Sequence, residues 1–375
     1  MSVATRPRVL AFAEDLNGLV TACRVHAPLI TLKRLGLIDD YLVTDASMDG
    51  VPRDAAFDVV WLQRARDRDL ALRLIDRLEG RFLLDMDDLL LARPSYIAPT
   101  DFPYVDHIRT AVRECSVLTV PSLRLAGLLA DRGCGDLQDK AVVCPNALEF
   151  PRHPPRTPER PVGLMLTQSH RLALTNSRDA VLGAMRDFSA ANNLPVYYFG
   201  PPPEVLGTGV ADLLGPLVQC GYLDYWRYHS ILAAWPAMIG LAPLETADDS
   251  DTLDFVAGKS DVKMVEFGGF GHPAVYSRAV PYVDTDLAAG VLADNTGQAW
   301  AEALEYMLAD GWRDAGEQQE RVVAARHMER VARECWFPAL ERSRLASPMT
   351  ENLLRPVRRR WRRFAGALGR TARQS

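Results

Sequence analysis

The chain has 375 residues, 48 % hydrophobic and 24 % charged, which supplies enough apolar material for two α/β domains of ordinary size and excludes wholesale disorder. Net charge is −5, yet Leu353–Ser375 holds eight arginines and no acid, so the other 352 residues carry −13 and lack the basic surface of a nucleic-acid binder. None of the six cysteines sits in a CxxC or a zinc-like Cys/His spacing, the N-terminus has no apolar leader, and no apolar run nears the roughly 20 residues of a membrane span; the expected setting is a reducing cytoplasm.

Residues 1–149 alternate short β-rich runs with helical periodicity. Arg8–Ala13 reads as a strand, Leu19–Leu35 as a helix, and Tyr41–Thr44 and Phe57–Gln63 as strands. A helix is expected over Asp67–Leu78, a strand over Arg81–Asp85, and a helix over Tyr104–Glu114. An extended Val117–Pro121, a helical Leu123–Asp131 and an extended Ala141–Cys144 complete the unit. Strands separated by helices imply a parallel sheet covered on both faces, with ligands at the carboxyl ends of its strands.

Residues 150–161 (FPRHPPRTPERP) contain five prolines and read as a semi-rigid connector. The alternation then resumes over 162–311, with strands at Val162–Leu166, Pro195–Phe199, Ala237–Leu241 and Ala274–Ser277. Helices are expected at Ser177–Ala190, Tyr225–Ala234, Lys259–Phe267 and Gln298–Leu308, with Glu245–Asp254 as an acidic loop. A long helix over Trp312–Cys335 is expected within a C-terminal segment, 312–340, that packs back towards the first domain. Residues 341–375 form a basic tail in which Trp361, Phe364 and Leu368 share one helical face among arginines, as in a helix lying on an anionic membrane. A solubilising tail or an RNA-binding segment has the same composition.

Only four of the 43 basic residues are lysine, and two of them, Lys259 and Lys263, precede Glu266 by seven and three positions. On one helix these three share a face. A helix starting near Lys259, with Ser260 and Asp261 in its first turn, would offer free N–H groups and a positive dipole end to a phosphate. The two ammonium groups would neutralise a diphosphate, and Glu266 would accept hydrogen bonds from ribose hydroxyls. A plain surface Lys–Glu pair has the same spacing. In the first domain, Gly18 follows the first strand and could admit a close backbone approach, while Arg24 and His26 stand on the next helix as candidate acceptor contacts. Asp85, Asp87 and Asp88 cluster at a strand end, where carboxylates can take a proton, grip hydroxyls or simply cap a helix over 88–92.

The order IGLAPL (239–244), KSDVKMVEF (259–267), GHPAVYS (271–277), GVL (290–292) and a helix with Trp300 resembles the nucleotide-sugar domain of GT-B glycosyltransferases. The nearest type is the retaining family-4 group of bacterial surface-polysaccharide biosynthesis. LTVPS (118–122), VVCPN (142–146) and RFLLDMDDL (81–89) resemble that family's first domain. The resemblance implies two doubly wound Rossmann-like domains facing across a cleft. It also implies a nucleoside-diphosphate sugar as donor substrate, a glycan or lipid-linked acceptor, and neither metal nor other cofactor. Glu266 then maps onto the ribose-holding glutamate, and Lys259, Lys263 and Ser260 onto the diphosphate segment. His170 and Arg171, in LMLTQSHR, map onto a loop near the donor phosphates, and Gly18 onto a loop facing the diphosphate. Asp87 and Asp88 would serve catalysis or hold the acceptor. Many members carry an earlier glutamate facing the sugar where this chain has Gly258. A nucleotide-sugar epimerase of the same fold and a catalytically silent scaffold at the membrane are the alternatives. The expected location is the inner face of the cell membrane.

Overall fold

A computed structural model describes residues 6–48, 51–52, 56–102, 105–150, 156–169, 171–207 and 209–344. Two six-stranded sheets follow one another along the chain, and all strand pairings within them are parallel. The first comprises β1 (Arg8–Phe12), β2 (Asp40–Thr44), β3 (Val59–Gln63), β4 (Leu83–Asp85), β5 (Val117–Val120) and β6 (Ala141–Val143), in the order β2-β1-β3-β4-β5-β6. The second comprises β7 (Leu164–Thr167), β8 (Val196–Phe199), β9 (Leu217–Gly221), β10 (Ile239–Ala242), β11 (Ala274–Ser277) and β12 (Val291–Ala293). Its order is β12-β11-β10-β7-β8-β9.

These are the two common doubly wound orders, and each reverses at one point: between β1 and β3 in the first sheet, between β7 and β10 in the second. Loops leaving the two strands at such a point diverge to opposite faces and open a crevice. The inner strands β3, β4, β5, β7 and β10 are buried at every residue, so they read as continuous apolar runs rather than as alternation.

Several elements depart from the expectations drawn from sequence. Leu217–Gly221 is a strand; three of its five residues are exposed at the sheet edge, so it carries no apolar pattern to read. The second half of the expected acidic loop is helical, in a helix Ser250–Ala257 started by Asp249, whose carboxylate accepts from the Thr252 N–H at 2.8 Å. The long C-terminal helix is broken at His327, whose backbone is extended (φ −66, ψ 130). There Leu148 N–H donates to the Arg326 carbonyl and Met328 N–H to the Leu148 carbonyl, a two-bond splice with the end of the first domain.

That break redirects the chain. Beyond it, the run from Met328 through Phe337–Ser343 lies against the first sheet, the last helix covering β3, β4 and β5. Trp336 stacks on Trp61 of β3 with ring centroids 4.7 Å apart, and both rings are buried. The basic tail, from residue 345 onward, lies outside the described residues, as do residues 151–155 of the Pro-rich stretch.

Removing so large a buried ring leaves a cavity that the sheet cannot close. Trp336→Ala should cost about 3–5 kcal/mol in urea unfolding, whereas Trp226→Ala, at a site 43 % exposed, should change stability by under about 1 kcal/mol.

Candidate active site between the two sheets

Loops at both reversal points line one cleft of about 290 Å³. Leu19, Val20 and Cys23 after β1, and Arg64 after β3, come from the first domain; Thr167–Ser169 at the end of β7 and Ala242–Leu244 at the end of β10 come from the second. Asp87, Asp88, Asn146, Arg171, Lys259, Ser260, Lys263 and Glu266 also line it.

On the second-domain wall the chain runs from the Ser250–Ala257 helix through Gly258–Asp261 into a second helix, Val262–Gly269. This corrects the single helix expected from Lys259. Lys259 and Ser260 stand in the connector before the helix, so Lys259 shares no helical face with Lys263. Asp261 stands at the N-cap position without a side-chain capping bond; its carboxylate instead accepts from Thr285 Oγ1 at 2.6 Å and from Arg326 at 3.1 Å. Lys263 and Glu266 do lie on one face: Lys263 Nζ donates to Glu266 Oε2 at 2.7 Å, and Tyr228 donates to the same oxygen at 3.3 Å. His229 Nε2 lies 3.5 Å from Oε1. Burial of Glu266 acts to raise its carboxyl, but Lys263 and His229 outweigh it and hold the group down to about 2. Glu266 is therefore an ionised acceptor, 8 % exposed, at the base of the cleft.

The first-domain wall is built on Arg64, which sequence reading did not single out. Arg64 and Ala65 both take left-handed backbone, φ +60 and +57, at the end of β3. That turn is held by Arg64 N–H donating to the Asp85 carbonyl at 2.8 Å and costs on the order of 1–3 kcal/mol per residue. It aims the guanidinium at two acids. Nε and Nη2 grip both oxygens of Asp87 at 2.6 and 2.7 Å, and Nη2 also reaches Asp88 Oδ2 at 2.9 Å. Burial would raise the Asp87 carboxyl, yet Arg64 holds it below the usual carboxylate range. No helix forms over 88–92, so these acids cap nothing.

Arg24, the expected acceptor contact, lines the cleft but is almost wholly engaged with the protein itself. Its side chain is 2 % exposed; Nη2 and Nε grip Asp85 at 2.6 and 3.2 Å, and Nη1 donates to the Cys144 carbonyl at 2.6 Å and to Asn146 Oδ1 at 3.0 Å. His26 is not among the lining residues, and its Nε2 lies 3.0 Å from the Leu16 carbonyl. Gly18 caps the short helix Leu19–Thr21 and is not among the lining residues; its two successors are. A Cβ there would meet Asp15 Oδ2 at 2.9 Å, so glycine serves the local turn. Arg171 lines the cleft and donates to the Tyr96 carbonyl at 2.9 Å. His170 lies outside the described residues.

Gly258 faces the first domain. A Cβ there would come within 2.8 Å of Leu89 Cβ and 3.3 Å of Leu125 Cδ1. The surrounding contacts seal this side of the cleft: Thr252 Oγ1 accepts from Ser95 N–H at 2.8 Å, Arg132 pairs with Asp251 and Asp254 at 2.6 and 2.5 Å, and Tyr96 meets Phe255 edge to face. Asn146 donates to Ser260 Oγ at 2.7 Å, linking the walls at the cleft floor. Among the described residues no group of three or more His, Cys, Asp or Glu is placed to hold a metal ion.

No protein-family model and no curated protein matches the chain. Solved structures do. Sucrose-phosphate synthase from Thermosynechococcus elongatus superposes with a TM-score of 0.60 at 12 % identity, over 88 % of this chain and 97 % of that one. HepE of Anabaena, in complex with UDP and glucose, gives 0.56 at 11 % identity, over 88 % and 98 %. AviGT4, a glycosyltransferase involved in avilamycin A biosynthesis, gives 0.52 at 14 % identity, over 90 % and 97 %. The fold is therefore GT-B: two Rossmann-like domains facing across a cleft, as the sequence resemblance implied.

The depressed Glu266 carboxyl fixes a pH dependence. A group held at about 2 against an ordinary 4.5 stabilises the fold above pH 4.5 and loses that contribution as pH falls towards 2. Its full size is about 3 kcal/mol. Urea unfolding from pH 6 to 2 should show this loss in the native chain, and Glu266→Gln should lack that component. Arg64→Ala, which orphans Asp87, should destabilise by about 3 kcal/mol at pH 7.

Proposed function

We propose that the protein is a glycosyltransferase that moves a sugar from a nucleoside-diphosphate donor to a hydroxyl of a glycan or lipid-linked acceptor in cell-surface polysaccharide synthesis. One observation carries the reading: at the reversal point of the second sheet, a buried ionised Glu266 stands beside Lys263, with Lys259 on the connector just before. That group matches a ribose, which offers hydroxyl donors, joined to a diphosphate, which brings negative charge. The fold's likeness to HepE in complex with UDP and to sucrose-phosphate synthase supports it.

In the proposed reaction the bond between the anomeric carbon and the diphosphate oxygen breaks, and a bond to the acceptor oxygen forms. The acceptor proton passes to the departing phosphate. Charge building on that phosphate is met by Lys259 and Lys263 in a cleft with few water-facing walls, where a fixed ammonium group is worth most in the transition state. Retention is the favoured stereochemistry. Inversion would need a free carboxylate base on the acceptor side, and Asp85, Asp87 and Asp88 are each held by a guanidinium. Asp87 and Asp88 are read as positioning the acceptor through Arg64. The Gly258 contact leaves the donor sugar to be gripped by groups other than a glutamate at that position.

The acceptor's location follows from the tail. The eight arginines of Leu353–Ser375, interleaved with Trp361, Phe364 and Leu368, suit an anionic leaflet, each basic group near the surface contributing about 1 kcal/mol. Among the described residues no helix is long and apolar enough to cross a membrane.

Transfer from a panel of radiolabelled nucleotide sugars to a membrane extract tests the activity. Lys263→Ala should lower turnover about 100-fold with the fold intact; unchanged turnover would remove Lys263 from the mechanism. The full chain should sediment with phosphatidylglycerol vesicles and not with phosphatidylcholine vesicles, and a chain ending at Arg344 with neither.

A further inference from the structure

The two lysines of the cleft take their counter-charges from different places. Lys263 is neutralised on its own helix, by Glu266 at 2.7 Å. Lys259 is neutralised from the opposite wall, its Nζ 3.7 Å from Asp88 Oδ1. The contact is loose and partly open, with side chains 27 % and 23 % exposed, and Lys259 Nζ also lies over the Phe255 ring, 4.6 Å from its centroid.

Asp88 is divided between two cations. Its Oδ2 accepts from Arg64 Nη2 of its own domain at 2.9 Å, while Oδ1 faces Lys259. Asp87, one residue earlier, spends both oxygens on Arg64. The group Arg64, Asp87, Asp88 and Lys259 thus sums to zero charge. A diphosphate arriving at Lys259 meets Asp88 as a like charge a few ångströms away, in a cleft where screening by water is reduced. Asp88 need not leave the wall to yield, because Arg64 still holds Oδ2. Other links between the walls, among them Asn146 to Ser260, Ser95 to Thr252 and Arg132 to Asp251 and Asp254, do not involve Lys259.

We propose that Asp88 is an internal counter-ion for Lys259 which a diphosphate must displace, so that donor binding exchanges a protein carboxylate for a phosphate and removes one tie across the cleft. This rests on the transferase reading, in which the diphosphate lies at Lys259. It gives Asp88 a negative role in affinity: the carboxylate weakens donor binding, and the same contact gives way once the site is filled.

The test is calorimetric titration of the full chain with UDP, GDP and ADP at fixed ionic strength. For the nucleotide that binds, Asp88→Asn should tighten binding about three- to tenfold, the span expected for losing one partly exposed ion pair that competes with the ligand. Asp88→Ser, which keeps an acceptor for Arg64, should act in the same direction if the amide variant does not fold. Most of the gain should vanish when Lys259→Gln is added. Equal or weaker binding by both Asp88 variants overturns the counter-ion role and leaves the transferase reading standing, since the nucleotide is still bound. Failure of all three nucleotides to bind the native chain and the variants at millimolar concentration overturns both.

Discussion

Arg24 holds a full positive charge while almost fully buried, and four stretches of chain are arranged around it. Its guanidinium joins the helix after β1 to the end of β4 through Asp85, to the exit of β6 through the Cys144 carbonyl, and to Asn146 at the start of the passage to the second domain. Its flat face lies 4.7 Å from the Trp336 ring, which the C-terminal run has carried back across the cleft. A buried ion left without its partner costs several kcal/mol, so these segments are bound to one another's positions. Asn146 passes the constraint on: its oxygen is taken by Arg24 and its amide by Ser260 of the opposite wall. The floor of the cleft is thus tied to the core of the first domain.

Above that floor the cleft is a balance of charges. Arg64 answers Asp87 and Asp88, Lys263 answers Glu266, and Lys259 reaches across to Asp88. Hydrogen bonds from Lys263 and Tyr228, His229 Nε2 at 3.5 Å and deep burial fix Glu266 as an ionised acceptor.

The side of the cleft occupied by the Ser250–Ala257 helix is closed by contact with the first domain, and Gly258 is what allows the approach. Any larger residue would meet Leu89, so loss of a side chain here and close packing of the domains are the same fact. Leu19, Val20, Tyr222 and Leu223 add apolar and aromatic side chains to the lining of the same cleft.

Much of the architecture was written into the chain. Buried parallel strands must be apolar throughout, so RVLAF, VVWLQ, LMLT and IGLA declared themselves, and their alternation with helical segments gave the doubly wound sheets. The pairing of Lys263 with Glu266 followed from a three-residue spacing, a local property of one helix. What the tertiary structure decided was long-range. Arg24 and Asp85 stand 61 positions apart, and nothing local separates a buried clamp from a ligand contact. Arg64 aims at its acids only because β3 ends in left-handed backbone, a conformation without a signature in a non-glycine residue. The helix break at His327 needed Leu148, 179 positions earlier in the chain, to supply the competing hydrogen bonds. Periodicity reports which face of an element is dry; it does not report which distant charge will be waiting there.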